Sequence, residues 1–358
     1  MKPFVEIRAK RFVAKNLLSM MPNRAMPNST SANPQNLTRG YTIAVVSAVV
    51  LSTTGIFIRH LTQTYQMPPL VLAFWRDVFV ALTVFLGLGA LRPALLRVNP
   101  RHLRYLGLYG LMLAVFNSMM TFSIALNGAA VSTVLVYCSA AFTALLGWWL
   151  LKEHLDLAKL LAVAICLGGC VLVSGALAPA AWRVNFIGIF TGVLSGLGYA
   201  IYSLMGRSAA QRGLNPWTTL FYTFGFAAVV LLLLNLLPWK VIPGVAIQLV
   251  DLFWLGQSSA GWGALVLLAA GPTVVGFGLY NVSLAYLPSS VANLIVTLEV
   301  PFTAVIAYSL LGERLNGMQI GGSVMILAGV VFLRIYEGWL ASRTRPRSPG
   351  KIEAVSTD

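Results

Sequence analysis

Ten apolar runs, each about as long as a helix needs to cross a lipid bilayer, decide what this chain can fold into. They cover roughly residues 40–59, 69–91, 103–122, 129–151, 157–176, 186–206, 216–238, 262–283, 289–311 and 317–337. A helix rises about 1.5 Å per residue and the hydrocarbon layer is about 30 Å thick, so about 20 apolar residues span it. Turn or charge signals punctuate the runs: Met67-Pro68-Pro69, Arg92-Pro93, Asn127-Gly128, Lys152-Glu153-His154, Pro179, Asn215-Pro216, Pro288 and Gly312-Glu313. Composition agrees. The chain is 58% hydrophobic and 10% charged, with a mean hydropathy of +0.80. A soluble domain carries about 25% charged residues, and this chain has too few to cover a water-facing surface. The expected fold class is an all-α polytopic membrane protein.

The net charge of +15 does not point to nucleic acid, because the basic residues lie mostly at the ends of apolar runs, where they set topology and meet lipid head groups. With the N-terminus in the cytoplasm, about 20 Lys and Arg fall on the cytoplasmic side, among them Arg92, Arg97, Arg101, Arg104, Arg207 and Arg212. About four (Arg59, Arg183, Lys240 and Arg314) fall on the other side. That bias fits an even number of spans, with both termini cytoplasmic, in the cell membrane. Residues 1–38 read as a basic disordered tail and 339–358 as a second one. Cys138, Cys166 and Cys170 lie inside apolar runs and read as small core residues. His60, His102 and His154 have no metal-ligand spacing.

The chain repeats itself. Residues 123–173 lie on 283–333 without a gap at an offset of 160, pairing FTALLGWWLLKEHL with FTAVIAYSLLGERL. Ser123/Ser283, Phe142/Phe302, Glu153/Glu313 and Gly169/Gly329 are among the identities. Earlier spans match at an offset of 148, with Gly40 on Gly188, Ser47 on Ser195 and Pro68 on Pro216. Two copies of a five-span unit follow, residues 39–176 and 186–338. Five is odd, so the second copy is expected to be inverted: ten transmembrane helices as two inverted five-helix repeats. Transporters of this kind hold their site near mid-membrane and expose it alternately to each side.

These paired motifs, together with FWRDVFVAL at 74–82, resemble the EamA family of the drug/metabolite transporter superfamily. The resemblance covers about residues 40–338. It implies a basket of ten helices, with spans five and ten peripheral and the other eight around a central cavity. It also implies gradient-driven export or exchange of small metabolites, commonly amino acids.

Glu299 stands about ten residues into an otherwise apolar span. An acid there costs roughly 2.5–3.5 kcal/mol to insert and usually faces a bundle interior or cavity. It reads either as a substrate- or proton-binding carboxylate or as a buried acid held by hydroxyls. Arg76 suits bidentate carboxylate binding or a structural ion pair with Asp77, although adjacent residues point about 100° apart on a helix. Asn117, Tyr137, Tyr199, Tyr202, Tyr280, Asn281 and Asn293 are candidates to line the cavity, or equally to glue helices. Asn127 belongs with them more weakly. Trp75 is a candidate cavity wall or an interfacial aromatic. Gly188, Gly192 and Gly196 form a small-residue stripe, and Pro272 and Pro301 are expected to kink their spans. Glu153 and Glu313 read as structural acids at span ends.

The sequence lacks GxxxxGK[ST], HExxH and GxSxG, so neither ATP-driven transport nor metallo- or serine-hydrolase chemistry is expected. The expectation is a secondary transporter that uses no cofactor or metal. Its partners would be a small-molecule substrate, a coupling proton or other ion, and the bilayer. A lipid flippase or receptor-like binding protein on the same fold is the alternative, and a membrane-embedded enzyme ranks below both.

Overall fold

The computed structural model describes residues 34–152, 155–173, 186–236, 244–246, 248–311 and 317–343. Every regular element among them is helical. In chain order they are α1 (Pro34–Leu51), α2 (Thr54–Thr64), α3 (Pro69–Leu91), α4 (Pro100–Tyr137), α5 (Ser139–Leu151) and α6 (Leu157–Val173). Then come α7 (Phe186–Gln211), α8 (Pro216–Leu236), α9 (Ser259–Leu268), a π-helical stretch Ala269–Phe277 and α10 (Gly278–Tyr286). Last are α11 (Ser289–Val296), α12 (Glu299–Leu311) and α13 (Gly317–Arg343). Two short 3-10 turns, Pro93–Leu96 and Leu249–Phe253, lie in connections.

Among the described residues, six helical stretches are long and apolar enough to cross a membrane: Gln35–Thr64, Pro69–Leu91, Pro100–Ser123, Ile187–Gln211, Pro216–Leu236 and Ser259–Tyr286. Leu135–Leu151, Leu157–Leu172 and Ile320–Leu333 are shorter apolar helices. Leu86, Phe190, Leu233 and Ile335 stand exposed on the outside while Asp77, Ser139, Ser203 and Asn293 are wholly buried. Water would penalise such an exterior, and a hydrocarbon solvent suits it. The molecule is a helical, multi-pass membrane protein.

Helix boundaries depart from the sequence reading in five places. Asn127-Gly128 ends nothing: α4 runs through it, and the break falls at Cys138. Helix keeps every backbone group satisfied away from water, which outweighs a local turn preference. The second copy breaks at the corresponding point, Thr297–Leu298, before Glu299, the repeat counterpart of Ser139. Pro301 was expected to kink its span, and the break lies four residues earlier. A proline ring excludes the carbonyl four residues back, here that of Thr297, and needs no amide partner in a first turn. The first span breaks at Ser52-Thr53, where Ser52 Oγ bonds Val49 O at 2.6 Å and Thr303 Oγ1 from α12 bonds Ser52 O at 3.0 Å. Pro272 lies in the π-helical stretch. Its missing amide would have met Leu268 O in an α-helix; the π pattern moves that partner one residue on, and Thr273 Oγ1 also bonds the carbonyl at 2.8 Å. Finally, α1 begins at Pro34 and α13 continues to Arg343, inside segments read as tails. Glu153, His154, Pro179 and Glu313 lie outside the described residues, as do most of both tails.

The α6–α13 crossing is reciprocal. A Cβ on Gly169 would meet Gly322 O and the Ile326 side chain at 2.7 Å, and one on Gly329 would meet Cys166 Sγ at 2.6 Å and Ala162 O at 3.3 Å. Under the 160-residue offset, Gly169 maps to Gly329, Ala162 to Gly322 and Cys166 to Ile326. Each helix therefore offers the same patch to the other, as across a two-fold axis. Rising numbers on α6 meet falling numbers on α13, so the two helices cross antiparallel. Elsewhere the glycine stripe behaves as expected: a Cβ on Gly192 would come 2.5 Å from Leu135 Cδ1.

Candidate functional site

The buried interior of this apolar bundle is threaded by polar side chains. On α3, Asp77 is wholly buried. It accepts from Asn117 Nδ2 on α4 at 3.0 and 3.3 Å, and from Arg76 Nε and its terminal nitrogen at 3.2 Å each. The 100° between neighbouring positions therefore does not keep Arg76 from Asp77, because the long guanidinium arm folds back onto the adjacent carboxylate.

A second group joins α4, α7 and α10. Asn281 Nδ2 donates to the Tyr202 hydroxyl at 3.2 Å, and the Tyr109 hydroxyl faces Asn281 Oδ1 at 3.5 Å. The Tyr109 and Tyr202 rings lie 4.7 Å apart. In a third group, Tyr280 donates to Ser203 Oγ at 2.6 Å. Asn293 Nδ2 also donates to Ser203 Oγ, at 3.2 Å, while Ser139 Oγ donates to Asn293 Oδ1 at 3.1 Å. Tyr199 stacks on Phe116 at 5.1 Å and on Tyr280 at 5.8 Å. Lastly, the Tyr137 hydroxyl faces Glu299, whose side chain is half-buried.

Local backbone explains these placements. Tyr199, Tyr202 and Ser203 are three and four apart and share one face of α7. Ser139 and Glu299 each open a helix after a break. An acid in a first turn also meets the positive end of the helix dipole. The wider π turn offsets the faces of α9 and α10, and such turns recur at functional sites.

Hydrogen bonds join the N-terminal half of the chain to the C-terminal half at Tyr109 with Asn281 and at Ser139 with Asn293, ring contacts join them at Tyr109 with Tyr202 and at Phe116 with Tyr199, and Tyr137 faces Glu299. Tyr105 adds a further hydrogen bond, donating to Met205 O at 2.6 Å. Trp75 lies apart from the network. Its indole N–H donates to Leu252 O, and its ring sits among Phe79, Phe253 and Trp262. Among the described residues no cluster of His, Cys, Asp or Glu has the makings of a metal site.

Residues 38–175 and 186–335 each match the model of the EamA-like transporter family. The chain belongs to the EamA-like transporter family. EamA relatives agree over most of their length. An uncharacterized transporter of Archaeoglobus fulgidus is 29% identical over 296 residues, 82% of this chain and 95% of its own. A probable amino-acid metabolite efflux pump of Salmonella typhimurium is 25% identical over 285 residues, 78% of this chain and 89% of its own. One solved crystal structure aligns with a TM-score of 0.68 at 16% identity, covering 86% of this chain and 99% of its own, a likeness of fold alone.

Of the side chains singled out in this EamA sequence, Arg76, Asn117, Tyr137, Tyr199, Tyr202, Tyr280, Asn281, Asn293 and Glu299 all enter the buried network. Three partners were not among the site candidates: Tyr109, Ser203 and, as a ligand of Asn293, Ser139. Ser203 was within reach of sequence reasoning, being four residues from Tyr199 and adjacent to Tyr202. Nothing in the sequence sets Tyr109 apart from any other intramembrane tyrosine.

Proposed function

We propose that this EamA transporter is a secondary exporter of small metabolites. It works by alternating access between two inverted five-helix repeats, residues 39–176 and 186–338, with both termini cytoplasmic in the cell membrane. The observation that carries the reading is the buried polar network crossing from one half to the other inside an apolar bundle. Polar side chains are costly at that depth and are kept where a solute must pass. The antiparallel, reciprocal α6–α13 crossing supports the inverted arrangement, and the basic residues at one set of span ends support the orientation. In this reading the contacts between the two halves close the path. Opening to either side parts Tyr109 from Asn281, Ser139 from Asn293 and Tyr137 from Glu299. Transport in the export direction, and amino-acid metabolites as cargo, rest on the name of the Salmonella relative.

The test is flux in proteoliposomes holding the full chain, with labelled amino acids and their amine derivatives, with and without a pH gradient. Solute movement that Glu299→Gln abolishes, with folding intact, supports the proposal. Full activity of Glu299→Gln removes Glu299 from the mechanism, and lipid scrambling without solute movement replaces transport with the flippase alternative.

A further inference from the structure

The connection between α8 and α9 carries an apolar surface that the helix bundle leaves uncovered. Leu249, Val250, Phe253 and Trp254 are 69%, 76%, 58% and 43% exposed, on the 3-10 turn Leu249–Phe253 and the residue after it. Val245, Ala246, Leu252 and Leu255 of the same connection are buried. The connection therefore has two faces, one packed on the helices and one turned outward. An exposed apolar patch of this kind marks an interaction site.

Polar contacts fix which face is which. Asn235 Oδ1 near the end of α8 accepts from Ala246 N at 3.0 Å, and Leu70 N donates to Gly244 O at 2.9 Å. Gly244 has a φ of +83°, and a Cβ there would lie 3.2 Å from the Pro69 ring. Farther along, the indole N–H of Trp75 bonds Leu252 O, that of Trp254 bonds Tyr65 O at 2.9 Å and that of Trp262 bonds Gly256 O at 3.0 Å. The Asp251 carboxylate serves the turn itself, accepting from Gln248 N at 2.8 Å. These contacts also set the depth of the turn. Trp75 stands about 9 Å of helix rise inside α3, and its ring lies 5.5 Å from Phe253 and 5.0 Å from Trp262 of α9. Helical side chains lean toward the helix start, so the turn sits beside the first two turns of α3 rather than beyond them.

Both α3 and α9 open stretches that are long and apolar enough to span, Pro69–Leu91 and Ser259–Tyr286. The second rises about 40 Å, which matches a bilayer with its head-group regions rather than the hydrocarbon alone. Its first turns therefore stand at head-group level. Deeper in the same two stretches, Leu82, Phe85, Val266 and Leu267 are exposed to lipid, so the patch continues a lipid-facing surface. Four side chains fall well short of the roughly 20–30 residues a side that a protein partner uses. Residues 241–272 contain one charged residue, Asp251, and no Lys, Arg or His, so the patch offers nothing to an anionic head group. We propose that residues 249–254 form a membrane-interface anchor. Leu249, Val250, Phe253 and Trp254 enter the boundary between head groups and acyl chains, with Trp75 and Trp262 behind them, as aromatic and amphipathic segments do at that level. The partner is the apolar boundary of the bilayer, whatever its head-group charge. Through Tyr65 and Trp75 the anchor holds the end of α2 and the start of α3 at a fixed depth.

Nitroxide labels on the full chain in phosphatidylcholine nanodiscs test the anchor. Val250→Cys carries the probe, Leu86→Cys on α3 is the lipid standard and Arg97→Cys is the water standard, both being exposed positions. The wild-type chain, labelled in parallel, supplies the background from its own cysteines. Collision with oxygen reports lipid, and collision with a water-soluble nickel chelate reports water. The oxygen-to-nickel ratio at Val250→Cys is expected to exceed that at Arg97→Cys severalfold and to approach that at Leu86→Cys. A ratio equal to that at Arg97→Cys overturns the proposal. Protection from both reagents means that protein, a second copy of the chain included, covers the patch, and overturns it too. Replacing part of the phosphatidylcholine with phosphatidylglycerol should leave the ratio unchanged, and immersion that needs the anionic lipid overturns an anchor indifferent to head-group charge. Should Val250→Cys fail to fold, Leu249→Cys and Phe253→Cys report from the same exposed face.

Discussion

The reciprocal crossing of α6 and α13 makes an unequal prediction for two glycines that the repeat treats as equals. In Gly169→Ala the new methyl would sit 2.7 Å from Gly322 O and from Ile326 Cγ1, and 3.1 Å from Ile326 N. Two of those three atoms are backbone, so relief requires the helices to move apart. In Gly329→Ala the closest atom is Cys166 Sγ at 2.6 Å, a side-chain atom, and the next contacts begin at 3.3 Å. Overpacking in a close-packed contact costs about 1–3 kcal/mol. Replacing a helical glycine with alanine returns about 1 kcal/mol. With rigid backbone in the way, Gly169→Ala falls at the upper end and nets about 2 kcal/mol of destabilisation. With a movable thiol in the way, Gly329→Ala falls at the lower end and nets about zero. Thermal unfolding followed with a maleimide dye reads this directly, since Cys166 and Cys170 are buried free thiols that unfolding exposes. The double variant should cost less than the sum of the two, because helices already forced apart by one methyl accommodate the second. Equal costs for the two single variants, or strict additivity, would refute the crossing described here.

Three further outcomes are expected. Asn117→Leu removes the amide that donates twice to buried Asp77 and should lower stability by about 1–3 kcal/mol; an unchanged melting curve would show that Arg76 alone satisfies the carboxylate. Thr273→Val removes the hydroxyl that bonds Leu268 O beside the π-helical backbone and should cost about 1 kcal/mol; an unchanged melting curve would mean the backbone alone satisfies that carbonyl. Trp75→Phe keeps the ring cluster but loses the indole bond to Leu252 O, so limited proteolysis within 248–258 should quicken, and an unchanged cleavage rate would count against that bond as an anchor.

Much of the molecule was legible in its residues. Hydropathy is a local quantity, so the membrane class and the 160-residue echo between FTALLGWWLLKEHL and FTAVIAYSLLGERL could be read without coordinates. Glu299 was legible for the same reason: an acid amid apolar neighbours is costly enough to mark itself. The helix breaks were less so. Asn127-Gly128 carries a turn signal that the surrounding helix overrides, whereas the Cys138 break carries no signal except its repeat partner at Thr297–Leu298.

What the sequence determined by itself was the solvent, the number of copies of the repeated unit and the polar residues that must justify their depth. What only the tertiary structure decided was which of them meet. Spans that are apolar on every side do not reveal which face turns inward, so the rotation of each helix about its axis is set by packing such as the Gly169–Gly329 crossing. That rotation is what brings Tyr109 to Asn281 and Ser139 to Asn293, 172 and 154 residues away in the chain, and it leaves Trp75, one residue from Arg76, outside the network.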